Sequence, residues 1–209
     1  MNYKIICIEG PRIKGFSDLL EIYTSAIPEN EQKTSHEVAG LLKRQDYKVL
    51  AVYRGEEVVA FSILYFSQRY PILLLEYMAT REDCRNEGIG AKLFAKSLSM
   101  ASGRMMLIEV DSEREDSKDN DLRVRRKNFY RRLGCKQVLG LDYLLPLKSQ
   151  GKSSLMDMMV HINNTVGQIS TLIFRYWLSD VYKNVYQCSP NDPRIEKMLA
   201  AVSDPVVLI

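Results

Sequence analysis

The segment ILLLEYMATREDCRNEGIGAKLFAKSLSM, Ile72 to Met100, constrains the fold more than any other part of the chain. It opens on a near-continuous apolar run over 72–80, the pattern of a strand buried on both faces. It closes with helical spacing, in which Ile89, Leu93, Phe94, Leu98 and Ala101 form one stripe and Gly103 follows as a stop. A polar loop carrying Gly88 and Gly90 joins the two. A buried strand passing through a short loop into an amphipathic helix is the unit of an α/β domain.

The rest of the chain fits that class. Its 209 residues suit one ordinary domain with an extra terminal element. Tyr3 to Glu9 reads as a first strand, and Leu19, Ile22 and Tyr23 fall at helical spacing before Pro28. The polar PENEQKTS leads to a second short helix around Val38, Leu41 and Leu42. Tyr47 to Phe66 reads as a hairpin turning at Gly55 and Glu56. A strand at Met105 to Asp111 and a short helix ending at Gly134 follow. Two further strands, over 135–145 and 155–162, are joined by the turn-rich PLKSQGKSS. A last helix, from about Gly167 to Gln187, carries Ile173, Trp177, Val181 and Val185. The reading is a mixed, mostly antiparallel sheet of about seven strands flanked by helices, in one domain over 1–165. The additional C-terminal helical extension, 166–209, packs on that domain or on another subunit, which leaves a homodimer open.

Composition narrows the function classes. A net charge of +3 is too mild to imply nucleic acid as a partner. Cys7, Cys84, Cys135 and Cys188 are scattered without CxxC spacing, against a zinc site or a disulfide framework, and His36 and His161 complete no triad or metal pattern with them. No apolar run approaches the length of a signal peptide or a membrane span, so the chain reads as cytoplasmic, with no membrane and no metal.

The glycine loop carries the chemistry. A helix N-terminus has unpaired N–H groups and about half a positive charge, and glycine there removes the Cβ that would hold a phosphate away. Arg85, three residues before Gly88, adds a cation for the same anion. A pyrophosphate is the natural ligand. The loop lacks Walker spacing, and Leu93 stands where a dinucleotide-binding fingerprint needs its third glycine.

Taken together, the strand ending in EYMAT, the REDCRNEGIGAKLF loop, the helix, the strand LIEVD and the later FYRRLGC resemble the GNAT superfamily of acyl-CoA N-acyltransferases, in the expected order from about Leu50 to Cys135. The resemblance implies transfer of an acetyl group from acetyl-CoA to a small-molecule or peptide amine. It implies that the backbone from Arg85 through Asn86, Glu87, Gly88, Ile89 and Gly90 to Ala91 cradles the CoA pyrophosphate. It implies too that Met78, Ala79 and Thr80 pair with the pantetheine arm as if it were an added strand. Cys84 reads as incidental. Many relatives place an Asn seven residues before the tyrosine of FYRRLG. Here that residue is Arg123, with Asn120 three positions away.

Acetyl transfer needs a neutral amine, although a lysine-like amine has a pKa of about 10.4, so a base or a water chain must take a proton. The family pattern makes Tyr130 the proton donor to the departing thiolate, with Phe129 beside it in the core. Glu109, a carboxylate within the apolar strand LIEVD, is the candidate base, and Glu76, in LLLEYMA, is its rival. The stretch from Glu109 to Asp121 holds seven acids against Arg114 and Lys118, which suits a cationic acceptor. The loop over 27–38 would form the opposite wall. The basic 123–136 segment is mostly solvated, with one or two residues for the CoA phosphates. A non-catalytic domain that binds acyl-CoA as a sensor is the alternative.

Overall fold

Runs rich in β-branched and aromatic residues build the first hairpin: β2 (Tyr47–Arg54) runs antiparallel to β3 (Glu57–Phe66), with Arg54 opposite Glu57 across Gly55 and Glu56. β1 (Tyr3–Ile8) adds antiparallel to β2, Tyr3 opposite Arg54. The computed structural model describes residues 3–12, 14–114, 118–146, 155–162 and 168–209. It contains one seven-stranded sheet in the order β1-β2-β3-β4-β5-β7-β6. Contacts divide the chain into two compact units, Met1–Gln68 with Leu75–Ser102, and Arg69–Leu74 with Gly103–Ile209. Strand β4 (Ile72–Thr80) contributes to both. No helix among the described residues is long and apolar enough to cross a membrane.

In the first unit, α1 (Phe16–Ala26) buries Leu19, Ile22 and Tyr23, and α3 (Ile89–Ser99) buries Ile89, Leu93 and Phe94. Each such side chain stabilises the fold by about 1.5–3 kcal/mol relative to exposure. Ser97 of α3 and Ser62 of β3 share a buried hydrogen bond of 3.1 Å, which satisfies both hydroxyls. The short α2 (Ser35–Leu41) starts at a capping box in which Thr34 and Glu37 satisfy each other's orphan groups.

In the second unit, β7 (Met156–His161) lies between β5 (Met105–Asp111) and β6 (Cys135–Gln137), antiparallel to both. α4 (Asn120–Arg132) begins earlier than its apolar pattern suggests. The strand expected over 135–145 is cut short. Gly140 has φ +79, and a Cβ there would stand 2.3 Å from the Ala201 carbonyl oxygen, so the backbone turns at that residue. Tyr143 afterwards makes one antiparallel bridge to Met156.

The described residues from 168 to 209 belong to this second unit. α5 (Thr171–Asn184) starts where Ser170 accepts a hydrogen bond from the Ile173 N–H, and buries Phe174, Trp177, Leu178, Val181 and Tyr182. Its end comes three residues before Gln187, which adopts a left-handed φ of 59. A further helix, α6 (Pro193–Leu199), opens with Asp192 as its cap and Pro193 in its first turn, a start signal present in the sequence but absent from the reading above. The C-terminus then pairs with the sheet edge: Gln137 and Ile209 exchange hydrogen bonds of 2.8 and 3.0 Å, and Leu139 N–H donates to the Val207 carbonyl at 2.9 Å. An open edge is thereby covered.

Candidate active site

Strand β4 is fully buried from Ile72 to Leu75 and only half-buried from Glu76 to Thr80. The sequence pattern predicted burial along its whole length. The change coincides with Met78, Ala79 and Thr80, the residues expected to meet a pantetheine arm. Beyond the strand, a single 3₁₀ turn (Glu82–Cys84) leads to the glycine loop. Cys84 is buried and burial pushes its thiol up, which suits an inert packing role.

The loop's backbone bends at two left-handed positions. Asn86 (φ 69) and Gly88 (φ 77) are both left-handed, and alternation of this kind makes concavities of backbone N–H groups. Gly88 is the cap residue of α3, with no side-chain hydrogen bond capping the helix. A Cβ added at Gly88 would meet nothing within 4 Å, so the space in front of the helix end is open. Arg85 is exposed, its guanidinium 3.9 Å from Glu82 and its Nε 3.5 Å from the Thr80 carbonyl. The one acid in the loop, Glu87, accepts a hydrogen bond from the Tyr3 hydroxyl, and Lys92 lies 5.7 Å over the Tyr3 ring.

Glu76 is the second feature of this unit. Its side chain is 1% exposed, and Lys33 Nζ stands 2.5 Å from Oε1. That contact is an ion pair without hydrogen-bond alignment, and neither carboxylate oxygen accepts an aligned hydrogen bond among the described residues. The Tyr47 phenol adjoins it; burial first, then the Glu76 charge, push that phenol far above its ordinary range. Lys33 also lies 5.6 Å over the Tyr77 ring, and Tyr77 donates to the Glu31 carbonyl at 3.0 Å. The loop over 27–38 therefore meets β4 at Glu76.

The second unit holds the other candidates. Tyr130 lies on the buried face of α4, and burial pushes its phenol well above the ordinary value, so it stays protonated at neutral pH. Phe129 packs edge-on against it with centroids 5.2 Å apart, but is only half-buried, short of the core position expected. Glu109 is half-buried on β5, and its two oxygens accept hydrogen bonds from Tyr143 and Tyr186 respectively. Each carboxylate oxygen thus accepts one phenol hydrogen bond.

Two acids of the stretch around the end of β5 are matched by cations. Asp111 pairs with Arg126 at 2.5 Å, and Glu113 pairs with Lys127. Lys127 is 1% exposed, a buried residue where the sequence suggested a solvated one. It also meets the fully buried Asp157 at 2.5 Å, and Arg114 reaches Asp157 and Asp142 at 2.7 Å each. Arg123, at the family's asparagine position, donates to the Ser112 carbonyl at 2.9 Å and so braces the end of β5. Glu115 and Asp116 lie outside the described residues.

The sequence reading missed Lys33, Tyr47, Tyr143 and Tyr186. Only Lys33 carried a signal, as a lone cation inside a loop expected to border the acceptor. The tyrosines sit in segments whose local pattern says nothing of a carboxylate.

Residues 45–136 match the family model described as an acetyltransferase (GNAT) domain. Over 116 residues the chain is 28% identical to the acetyltransferase YjbC of Bacillus subtilis (strain 168), so described in name, covering 56% of this chain. The match spans about half of that relative, 55% of its length. Among solved structures, a GNAT-family protein of Bacteroides thetaiotaomicron superposes with a TM-score of 0.67 at 19% identity, over 89% of this chain and 98% of its own. An aminoglycoside 6'-N-acetyltransferase complexed with coenzyme A superposes with a TM-score of 0.57 at 17% identity, over 77% and 96%. At these identities the structural likenesses establish the fold.

Proposed function

We propose, from the match of residues 45–136 to the GNAT acetyltransferase family model, that the protein moves the acetyl group of acetyl-CoA to a primary amine by direct attack through a tetrahedral intermediate. The observation that carries this reading is the glycine loop. Left-handed Gly88, with open space at its Cβ position, stands before an uncapped α3. A pyrophosphate supplies the negative charge that such a helix end favours. Glu87 is the one group there that would repel it, and Tyr3 holds that carboxylate. The half-exposed run from Met78 to Thr80 offers backbone to the pantetheine arm. Four free cysteines fit a reducing, cytoplasmic setting.

Tyr130, protonated at neutral pH, donates to the thiolate as it leaves. Glu76 is the better placed of the two carboxylates to receive the amine's proton. Its charged partner is the Lys33 ammonium at 2.5 Å, itself an amine, whereas both Glu109 oxygens are engaged by phenols. Glu109 then serves as a positioning residue, tying β5 to the segments that bear Tyr143 and Tyr186. A buried carboxylate at the amine site suits a small cationic amine or a peptide amine. The test is a panel of amines and peptides with acetyl-CoA, read by release of free thiol. Thiol release dependent on a particular amine supports transfer. Tight CoA binding without release for any amine would instead assign a sensor.

A further inference from the structure

We propose that Lys33 is a self-acetylation site: held against the Glu76 carboxylate, its amine accepts the acetyl group of bound acetyl-CoA when no external amine is present. The inference rests on the acetyl-transfer reading above and names an acceptor within the chain itself.

Lys33 is unlike a surface lysine. Its side chain is 14% exposed, against 73% for Lys14. The backbone around it is pinned. The Lys33 N–H donates to the Tyr23 hydroxyl at 2.6 Å, the Gln32 side chain donates to the Ile27 carbonyl at 2.7 Å, and Thr34 opens the capping box of α2. A long side chain leaving so fixed a backbone loses much of its rotamer freedom, which costs up to about 2 kcal/mol. The compensation is its placement: Nζ lies 2.5 Å from Glu76 and 5.6 Å over the Tyr77 ring. A carboxylate and an aromatic face around one ammonium form a recognition site for an amine.

The Tyr47 phenol is buried against the same carboxylate, and burial first, then that charge, push the phenol up. Lys33 and Tyr47 thus approach one buried carboxylate. Glu76, Met78 and Thr80 share one side of β4, since strand side chains alternate. An acyl arm anchored at Gly88 and paired along the half-exposed part of β4 runs toward Glu76, and so toward Lys33.

The step balances as follows. The Lys33 ammonium gives one proton to Glu76, and the neutral Nζ attacks the thioester carbonyl carbon. The C–N bond forms, the C–S bond breaks, and the second amine proton leaves with the CoA thiolate as free thiol. Glu76 returns its proton to water. Acetylation removes the lysine charge. The modified residue no longer pairs with Glu76, and the carboxylate becomes available to an incoming ammonium.

The experiment is to incubate the full chain with acetyl-CoA and no amine, then measure acetyl occupancy at each lysine by peptide mass spectrometry. Lys33 is expected to be modified at least about tenfold faster than the exposed Lys14, and at least about tenfold more slowly in Gly88→Ala, a difference of about 1.4 kcal/mol in barrier. Lys33→Arg, which keeps the charge, should show no selective acetylation. Modification of Lys33 no faster than Lys14, or equally fast in Gly88→Ala, overturns the proposal. A parent protein that acetylates amines from the panel while Lys33 stays unmodified refutes self-acetylation alone. A parent that binds CoA but releases no thiol with any amine, and leaves Lys33 unmodified, removes the acetyl-transfer reading with it.

Discussion

Replacing Gly88 with alanine separates the loop's backbone strain from its binding role. At φ 77 an L-residue pays about 1–2 kcal/mol for the left-handed conformation. No steric cost adds to that, because the new Cβ meets nothing within 4 Å. For a chain of this size the fall in melting temperature is about 2–8 °C, at roughly 2–4 °C per kcal/mol, and the protein stays folded. The methyl group does, however, enter the space in front of the α3 N-terminus. Losing one charge-assisted hydrogen bond and part of the helix-end attraction costs a bound pyrophosphate about 2–3 kcal/mol, or roughly 30- to 150-fold in CoA affinity. Gly103, beyond the other end of the same helix, provides a matched control, with φ 83 and equally open space. Calorimetric titration with CoA, alongside thermal melts, reads both quantities. Gly88→Ala and Gly103→Ala should lose similar stability, and only the first should lose affinity. If both variants bind CoA like the parent, the glycine loop is a turn and not a pyrophosphate cradle.

Tyr130→Phe should lower turnover about tenfold or more with CoA affinity unchanged, in steady-state assays beside titration, because it removes a proton donor and no binding surface. Glu76→Gln should depress acetyl transfer more than Glu109→Gln, about 100-fold near neutral pH, with the deficit shrinking as rising pH supplies free amine. The opposite ranking in a pH–rate series would restore Glu109 as the base. Lys127→Met should destabilise the protein by about 3–5 kcal/mol, less whatever Arg114 recovers, since Asp157 is left buried; Lys127→Met with Asp157→Leu should regain most of this in urea unfolding. Burial alone would raise the Glu113 carboxyl, but the Lys127 ammonium beside it outweighs that and lowers it. A lowered folded-state pKa means stability present above the ordinary carboxylate value, about 4.3, and lost as pH falls through the folded value. Acid titration of stability should therefore show a loss below about pH 4 that is smaller in Lys127→Met.

What the sequence determined alone is what local periodicity and chain order can encode. Two apolar, β-branched and aromatic runs across Tyr47 to Phe66 with Gly55 at the turn specify a hairpin, while the register shift between Val52 and Tyr53 is visible only in the structure. The Ile89 to Leu98 stripe specifies α3, and Gly88 before it marks the helix start. The stretch of β4 from Glu76 to Thr80 reads the same in sequence as the stretch before it, yet only the earlier half is fully buried. Burial depends on what lies against a strand, which its own residues do not record. The same limit applies to the two carboxylates. Glu76 and Glu109 are alike as acids within apolar runs. Tertiary structure alone gives one a lysine from a loop before the hairpin, and the other two phenols from 34 and 77 positions further along the chain. Those partners are brought in from distant parts of the chain, so only the fold decided which groups each carboxylate meets.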